Sequence, residues 1–115
     1  MKPATIFFNP KCGTCHKTLA LLESKGYEAT KIEYLKNPPS EVEIDGILKK
    51  LGVEPEGLAR KKEAIYAEKA ERKNLTRAQW LKLFHENPVL IERPVVVIGE
   101  KAVIARPPEK LLEIL

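Results

Sequence analysis

The 115-residue chain has the length of one domain, and its 43% apolar content is enough for one core. The formal charge of +4 comes from 20 basic and 16 acidic side chains. That excess is too mild for a nucleic-acid footprint but suits a small anionic substrate. The N-terminal apolar run Ile6-Phe7-Phe8 stops at Asn9-Pro10, far too short for a secretion signal or a membrane span. The expectation is a monomeric cytosolic protein with no membrane partner, whose cysteines stay reduced.

Ala4 to Phe8 reads as a buried strand, short and β-prone. Cys12 to Lys25 reads as a helix, with Cys15, Thr18, Leu19 and Leu22 on one face and Gly26 as its C′ residue. Ala29 to Tyr34 reads as a second strand, in which Ile32 and Tyr34 alternate with Lys31 and Glu33. Asn37-Pro38-Pro39 breaks it. Ser40 and Glu43 form a capping box that opens a helix to about Leu51, closed by Gly52. Pro55 to Arg60 is a short helical turn. The charged stretch from Glu63 to Arg72 is a solvated face with Ile65 and Tyr66 turned inward. Thr76 and Gln79 make a second capping box, for a helix to about Glu86 that Asn87-Pro88 stops. Pro94 to Ile98 is a strand, Gly99-Glu100 a two-residue turn, and Lys101 to Ala105 the partner strand. Pro107-Pro108 leads into a short helix over Glu109 to Leu115.

This order is βαβ, a helical block, a β-hairpin and a final helix. A βαβ unit requires two parallel strands joined by a right-handed crossover. The hairpin then completes a four-stranded mixed sheet, an α/β arrangement of thioredoxin-like type. Residues 1–115 read as a single domain with a helical insertion over about 40–87.

Cys12 and Cys15, spaced C-x-x-C, carry the chemistry. Cys12 falls between the first strand and the first helix, where unpaired backbone N–H groups and the helix dipole favour a thiolate. Lys11 adds positive potential. Cys15 lies about one turn further on, placed to attack a sulfur adduct on Cys12 and release it as a disulfide. Cys12-Gly13-Thr14-Cys15-His16 also spells the haem-attachment pattern C-x-x-C-H, but Met1 is the sole methionine and no export signal is read. With His85 distant, a four-ligand zinc site is not expected, and no metal or resident cofactor is assigned.

A thiolate that attacks an oxyanion needs cations to hold the anion, and the planar fork of arginine suits this. Arg60 follows a hydrophobic turn, Arg93 precedes Pro94 and the third strand, and Arg106 ends the fourth. The ends of a hairpin beside the first strand bring Arg93 and Arg106 towards Cys12. On spacing alone, three surface arginines remain the alternative. Arg72 and Arg77 read as solvated.

Five ordered segments resemble the glutaredoxin-linked arsenate reductases: Asn9-Pro10-Lys11-Cys12-Gly13-Thr14 with Thr18-Leu19, Tyr34 to Ser40, Leu58-Ala59-Arg60-Lys61, Pro88 to Val97, and Arg106-Pro107-Pro108-Glu109. The resemblance covers about Ile6 to Leu115. It implies a thioredoxin-like fold with Cys12 as nucleophile toward arsenate. It further implies that Arg60, Arg93 and Arg106 bind the oxyanion, with Asn9 and a cis Arg93-Pro94 peptide in support. The reductant it implies is glutathione with glutaredoxin, or thioredoxin. Two positions depart from the family's usual residues: Cys15 stands where serine is usual, and Phe8 where histidine is usual. The same superfamily holds the Spx regulators, which also carry C-x-x-C. That alternative is a redox-switched module binding RNA polymerase. The Asn-Pro-x-Cys start and the Arg-Pro-Pro-Glu ending favour the reductase branch.

Overall fold

The computed structural model describes residues 2–115. The backbone divides into two compact units, Met1–Asn37 with Arg93–Leu115, and Pro38–Glu92.

The first unit is built on a four-stranded sheet. Strand β1 (Lys2–Phe7) leads to helix α1 (Gly13–Ser24), then strand β2 (Tyr27–Ile32); after the second unit come β3 (Val95–Ile98) and β4 (Lys101–Ile104). The strand order is β2-β1-β3-β4. β1 pairs parallel with β2, while β3 pairs antiparallel with both β1 and β4. This is the mixed sheet expected of a thioredoxin-like chain.

Period-two alternation decides which side chains meet. Ile6, Val96 and Val103 lie opposite one another across three strands. They join Ala4, Phe8, Cys12, Cys15, Leu22 and Leu111 in one buried cluster, so α1 and the C-terminal segment share the core of that face. Burying a side chain the size of Leu22 contributes roughly 1.5–3 kcal/mol, and Leu22 is fully inaccessible. Helix α1 ends as its sequence dictates. Gly26 adopts φ 85° just beyond it, and its N–H closes on the Glu23 carbonyl at 3.1 Å. Gly99 adopts φ 61° in the two-residue turn of the hairpin.

Pairing with β1 fixes β2 at Tyr27–Ile32, two residues earlier than the sequence reading. Tyr34 therefore lies beyond the strand, yet it is 1% exposed. The C-terminal segment Pro108–Ile114 is a 3₁₀ helix, as is common for short runs.

In the second unit, α2 (Glu41–Leu51) and α4 (Arg77–Glu86) pack together through Ile44, Ile47 and Leu48 on one side and Trp80, Leu83 and Phe84 on the other. Trp80 and Phe84 stack with centroids 5.5 Å apart. Both capping boxes form in full. Ser40 Oγ accepts from the Glu43 amide while Glu43 Oε1 accepts from Ser40 N, and Thr76 and Gln79 repeat the exchange. Ser40→Ala and Thr76→Ala will each cost about 1 kcal/mol, read as a shifted midpoint in urea unfolding at unchanged slope.

Arg77 Nε lies 2.6 Å from Asp45 Oδ1, joining α4 to α2. Arg77, then Lys49, hold the Asp45 carboxyl below its ordinary value. Between these helices, a 3₁₀ turn covers Pro55–Leu58 and a short helix, α3, covers Ala64–Lys69. Ile65 and Tyr66, expected to point inward, are only half-buried, and the anchor is Ala70, 3% exposed. A second 3₁₀ turn, Pro88–Leu90, follows the Asn87-Pro88 stop. An isolated antiparallel bridge joins Ala59 to Ile91.

Candidate active site

Cys12 is the N-cap residue of α1, with extended φ and ψ of −99° and 116°. The loop ahead of it is held by its own atoms. The Cys12 amide donates to the Asn9 carbonyl at 2.9 Å, and the Lys11 amide donates to Asn9 Oδ1 at 3.0 Å. An Asn side chain that accepts from the backbone two residues on is a common turn device. His16, one turn into α1, closes the loop from the helix side. Its Nε2 lies 2.6 Å from the Pro10 carbonyl oxygen, and its ring meets the buried Phe8 ring edge-on at 5.0 Å. The sequence reading gave His16 no role; its position four residues after Cys12 was the available signal.

Cys12 is 6% exposed and Cys15 fully buried, both as free thiols. Burial pushes the Cys12 thiol up, but the backbone amide and thiol of Cys15, the Arg106 guanidinium and the charge of Arg93 outweigh it. The result is a pKa lowered from 9.0 to about 7. Cys15 goes the other way. Burial raises it most, the Asn9 amide opposes this, and the Cys12 side chain with its charge raises it further, to about 11. One sulfur is thus ready as a nucleophile at neutral pH while its neighbour keeps its proton.

Arg93 and Arg106 flank β3 and β4. Arg106 Nη1 donates to the Arg93 carbonyl at 3.1 Å, and the Ala105 amide donates to the Pro94 carbonyl at 2.9 Å. The Arg93-Pro94 peptide is cis, and so is Arg106-Pro107, which the sequence reading did not anticipate. Pro94 is buried and Arg93 half-buried, whereas Arg106 is exposed. Asn9, Cys12, Cys15, Arg93, Pro94 and Arg106 all belong to the first unit. Arg60 belongs to the second. Its amide donates to the Leu90 carbonyl at 2.7 Å. Its guanidinium pairs with Glu63 at 2.7 Å and lies 3.8 Å from Glu92. The three-residue spacing of Arg60 and Glu63 was a readable signal for that pair.

Among the described residues, no three His, Cys, Asp or Glu side chains gather as a metal site, and no helix is long and apolar enough to cross a membrane. A thiolate beside two guanidinium groups is suited to nucleophilic attack on a bound oxyanion.

The profile of the ArsC family matches residues 7–114. The chain belongs to the ArsC family. It is 41% identical over 112 residues to an arsenate reductase of Haemophilus influenzae, covering 96% of this chain and 97% of that one. It is 37% identical over 116 residues to an arsenate reductase of Acidiphilium multivorum, covering 100% and 82%. Its structure superposes on that of an arsenate reductase from Vibrio cholerae with a TM-score of 0.95 at 39% identity, over 99% of this chain and 98% of that one. The four-stranded sheet and its helices are therefore those of the thioredoxin-like ArsC proteins.

Proposed function

We propose that this ArsC-family protein is an arsenate reductase in which Cys12 is the nucleophile. The observation that carries the reading is the Cys12 sulfur at the start of α1, its pKa brought to about 7 with Arg106 and Arg93 among the causes. Arg93 and Arg106 bind the arsenate oxygens, and Arg60 is the third oxyanion ligand by resemblance. The 38–92 unit is then an insertion in one thioredoxin-like domain.

The Cys12 thiolate attacks arsenic(V), forming an As–S bond as one oxygen leaves as water after protonation. The adduct removes the negative charge from the Cys12 sulfur. After burial, the hydrogen bond to Cys12 and the Cys12 charge raise the Cys15 thiol; the bond is lost in the adduct and the arsenate charge is met by Arg93 and Arg106, so Cys15 ionises more readily. The Cys15 thiolate attacks the Cys12 sulfur, a disulfide forms, and the As–S electron pair stays on arsenic, which departs as arsenite. Glutathione with glutaredoxin, or thioredoxin, reduces the disulfide. The reading carries with it a cytosolic enzyme, because the cycle requires a reducing compartment.

The test couples NADPH oxidation to arsenate, once with glutathione and glutaredoxin and once with thioredoxin. In parallel, one turnover without added thiol is followed by mass spectrometry. The expected results are arsenate-dependent NADPH oxidation and a protein two hydrogens lighter, cross-linked between Cys12 and Cys15. Absence of turnover with both reductant systems overturns the activity. A lasting arsenic adduct with a free Cys15 thiol overturns the resolving step.

A further inference from the structure

Arg60 is fixed through its backbone. The bridge between Ala59 and Ile91 is flanked by two bonds of 2.7 Å, from the Arg60 amide to the Leu90 carbonyl and from the Glu92 amide to the Leu58 carbonyl. The Arg60 side chain is 22% exposed, and a charge so far withdrawn from water needs a partner. It has one in Glu63, whose Oε1 accepts from Nη1 at 2.7 Å, and Glu92 Oε1 stands 3.8 Å from Nε. One guanidinium and two carboxylates leave the group with one net negative charge. The pair with Glu63 joins residues three apart, so it ties no distant elements together, whereas Arg77 with Asp45 links α4 to α2. Glu63 is the N-cap residue of α3, yet its side chain caps no amide. Lys61 and Lys62, which lie between the two in sequence, are exposed, while Glu63 is half-buried. Its carboxylate is given over to Arg60.

We propose that Glu63 is a positioning residue that sets the affinity for oxyanions: its carboxylate holds the Arg60 guanidinium while no ligand is bound, and a tetrahedral oxyanion displaces it to take the fork. The inference rests on the reading of Arg60 as an oxyanion ligand. A carboxylate tethered three residues away competes at a high effective concentration with any anion in solution. Glu92 adds like-charge repulsion from the Nε side. The site therefore binds oxyanions more weakly than a guanidinium without acidic neighbours would. Arg60 meanwhile keeps its place, because an unpaired half-buried charge is costly and Glu63 relieves that cost. Both carboxylates act on the binding of the anion rather than on sulfur chemistry, so their influence falls on KM and not on kcat.

The test titrates the whole protein with inorganic phosphate in a calorimeter. Phosphate has the tetrahedral shape of arsenate and is not reduced by thiols, so binding is read without turnover. Glu63→Gln keeps an oxygen that can accept from Arg60 Nη1 and loses only the charge. It is expected to lower the Kd for phosphate roughly three- to tenfold at low salt, with the gain shrinking as salt rises. In the arsenate assay, KM is expected to fall by a similar factor at unchanged kcat. Glu92→Gln, whose carboxylate stands farther off, is expected to shift both in the same direction by less. In an Arg60→Ala background the Glu63→Gln gain is expected to vanish. A phosphate affinity that is unchanged or weaker in Glu63→Gln overturns the proposal, since Glu63 then only steadies Arg60. A gain of the same size in the Arg60→Ala background also overturns it. If Arg60→Ala by itself leaves phosphate binding untouched, the reading of Arg60 as a ligand falls, and this inference with it. Tighter phosphate binding in Glu63→Gln without any arsenate turnover supports the inference and overturns the activity instead.

Discussion

Replacing Cys12 with serine will abolish arsenate turnover, to roughly a thousandfold or more below wild type, and leave the fold intact. Serine is nearly isosteric, and the helix start it would occupy suits a serine N-cap, so the circular dichroism spectrum will be unchanged. What disappears is the sulfur that ionises at about pH 7. A serine hydroxyl has no accessible anionic form there. The same sulfur can be followed directly by iodoacetamide. In the wild type the alkylation rate will rise with pH, pass its midpoint near 7 and level off above it, because the folded protein favours the thiolate. Cys15, raised to about 11 and enclosed, will not react over that range. The serine variant will show no fast phase. Retained turnover in that variant moves the nucleophile elsewhere.

Arg106→Ala will have the second largest effect, on two readouts at once. Arg106 is among the groups that lower the Cys12 pKa, so its removal moves the alkylation midpoint upward from about 7 towards the ordinary 9.0. At pH 7, about half of Cys12 is thiolate with a pKa of 7, and only about one part in a hundred with a pKa of 9. The activity of the variant at pH 7 therefore falls by roughly tenfold or more and recovers in part towards pH 9. With the guanidinium as the proposed fork for arsenate oxygens, its loss is expected to raise the KM for arsenate at every pH. Arg106→Lys keeps the charge and loses the fork. It will restore much of the low midpoint while leaving the KM high. An unchanged midpoint together with an unchanged KM in Arg106→Ala removes Arg106 from the site.

The parts of this molecule that were legible in its sequence are those written in local grammar. Ser40 with Glu43 and Thr76 with Gln79 announce helix starts because the capping exchange involves only residues three apart, and both form. Gly26 and Gly99-Glu100 mark an end and a turn because their backbone conformations favour glycine. Cys12 at a strand-to-helix junction was readable for the same reason. What escaped depends on partners distant in the chain. The limits of β2 follow from its pairing with β1, not from the alternation that reached to Tyr34. Pro108–Ile114 carries helix-forming residues, and nothing in a seven-residue span decides between α and 3₁₀ geometry. Ala70 replaces Ile65 and Tyr66 as the anchor because burial follows the path of the chain rather than side-chain size. The bond from Arg106 to the Arg93 carbonyl joins the two outer ends of a hairpin, thirteen residues apart, and no spacing rule announces it.

Phe8 and His16 have a consequence for how this loop can change over generations. The imidazole bonds back to Pro10 and rests edge-on against the Phe8 ring, so the nine residues from Phe8 to His16 carry their own scaffold. A histidine that arose at position 8 would face the His16 ring where an apolar edge now sits, and losing His16 would strip both Phe8 and the Pro10 carbonyl of a neighbour. Selection therefore sees the two positions together. A change at position 8 is costliest when made alone, and mildest when position 16 changes with it.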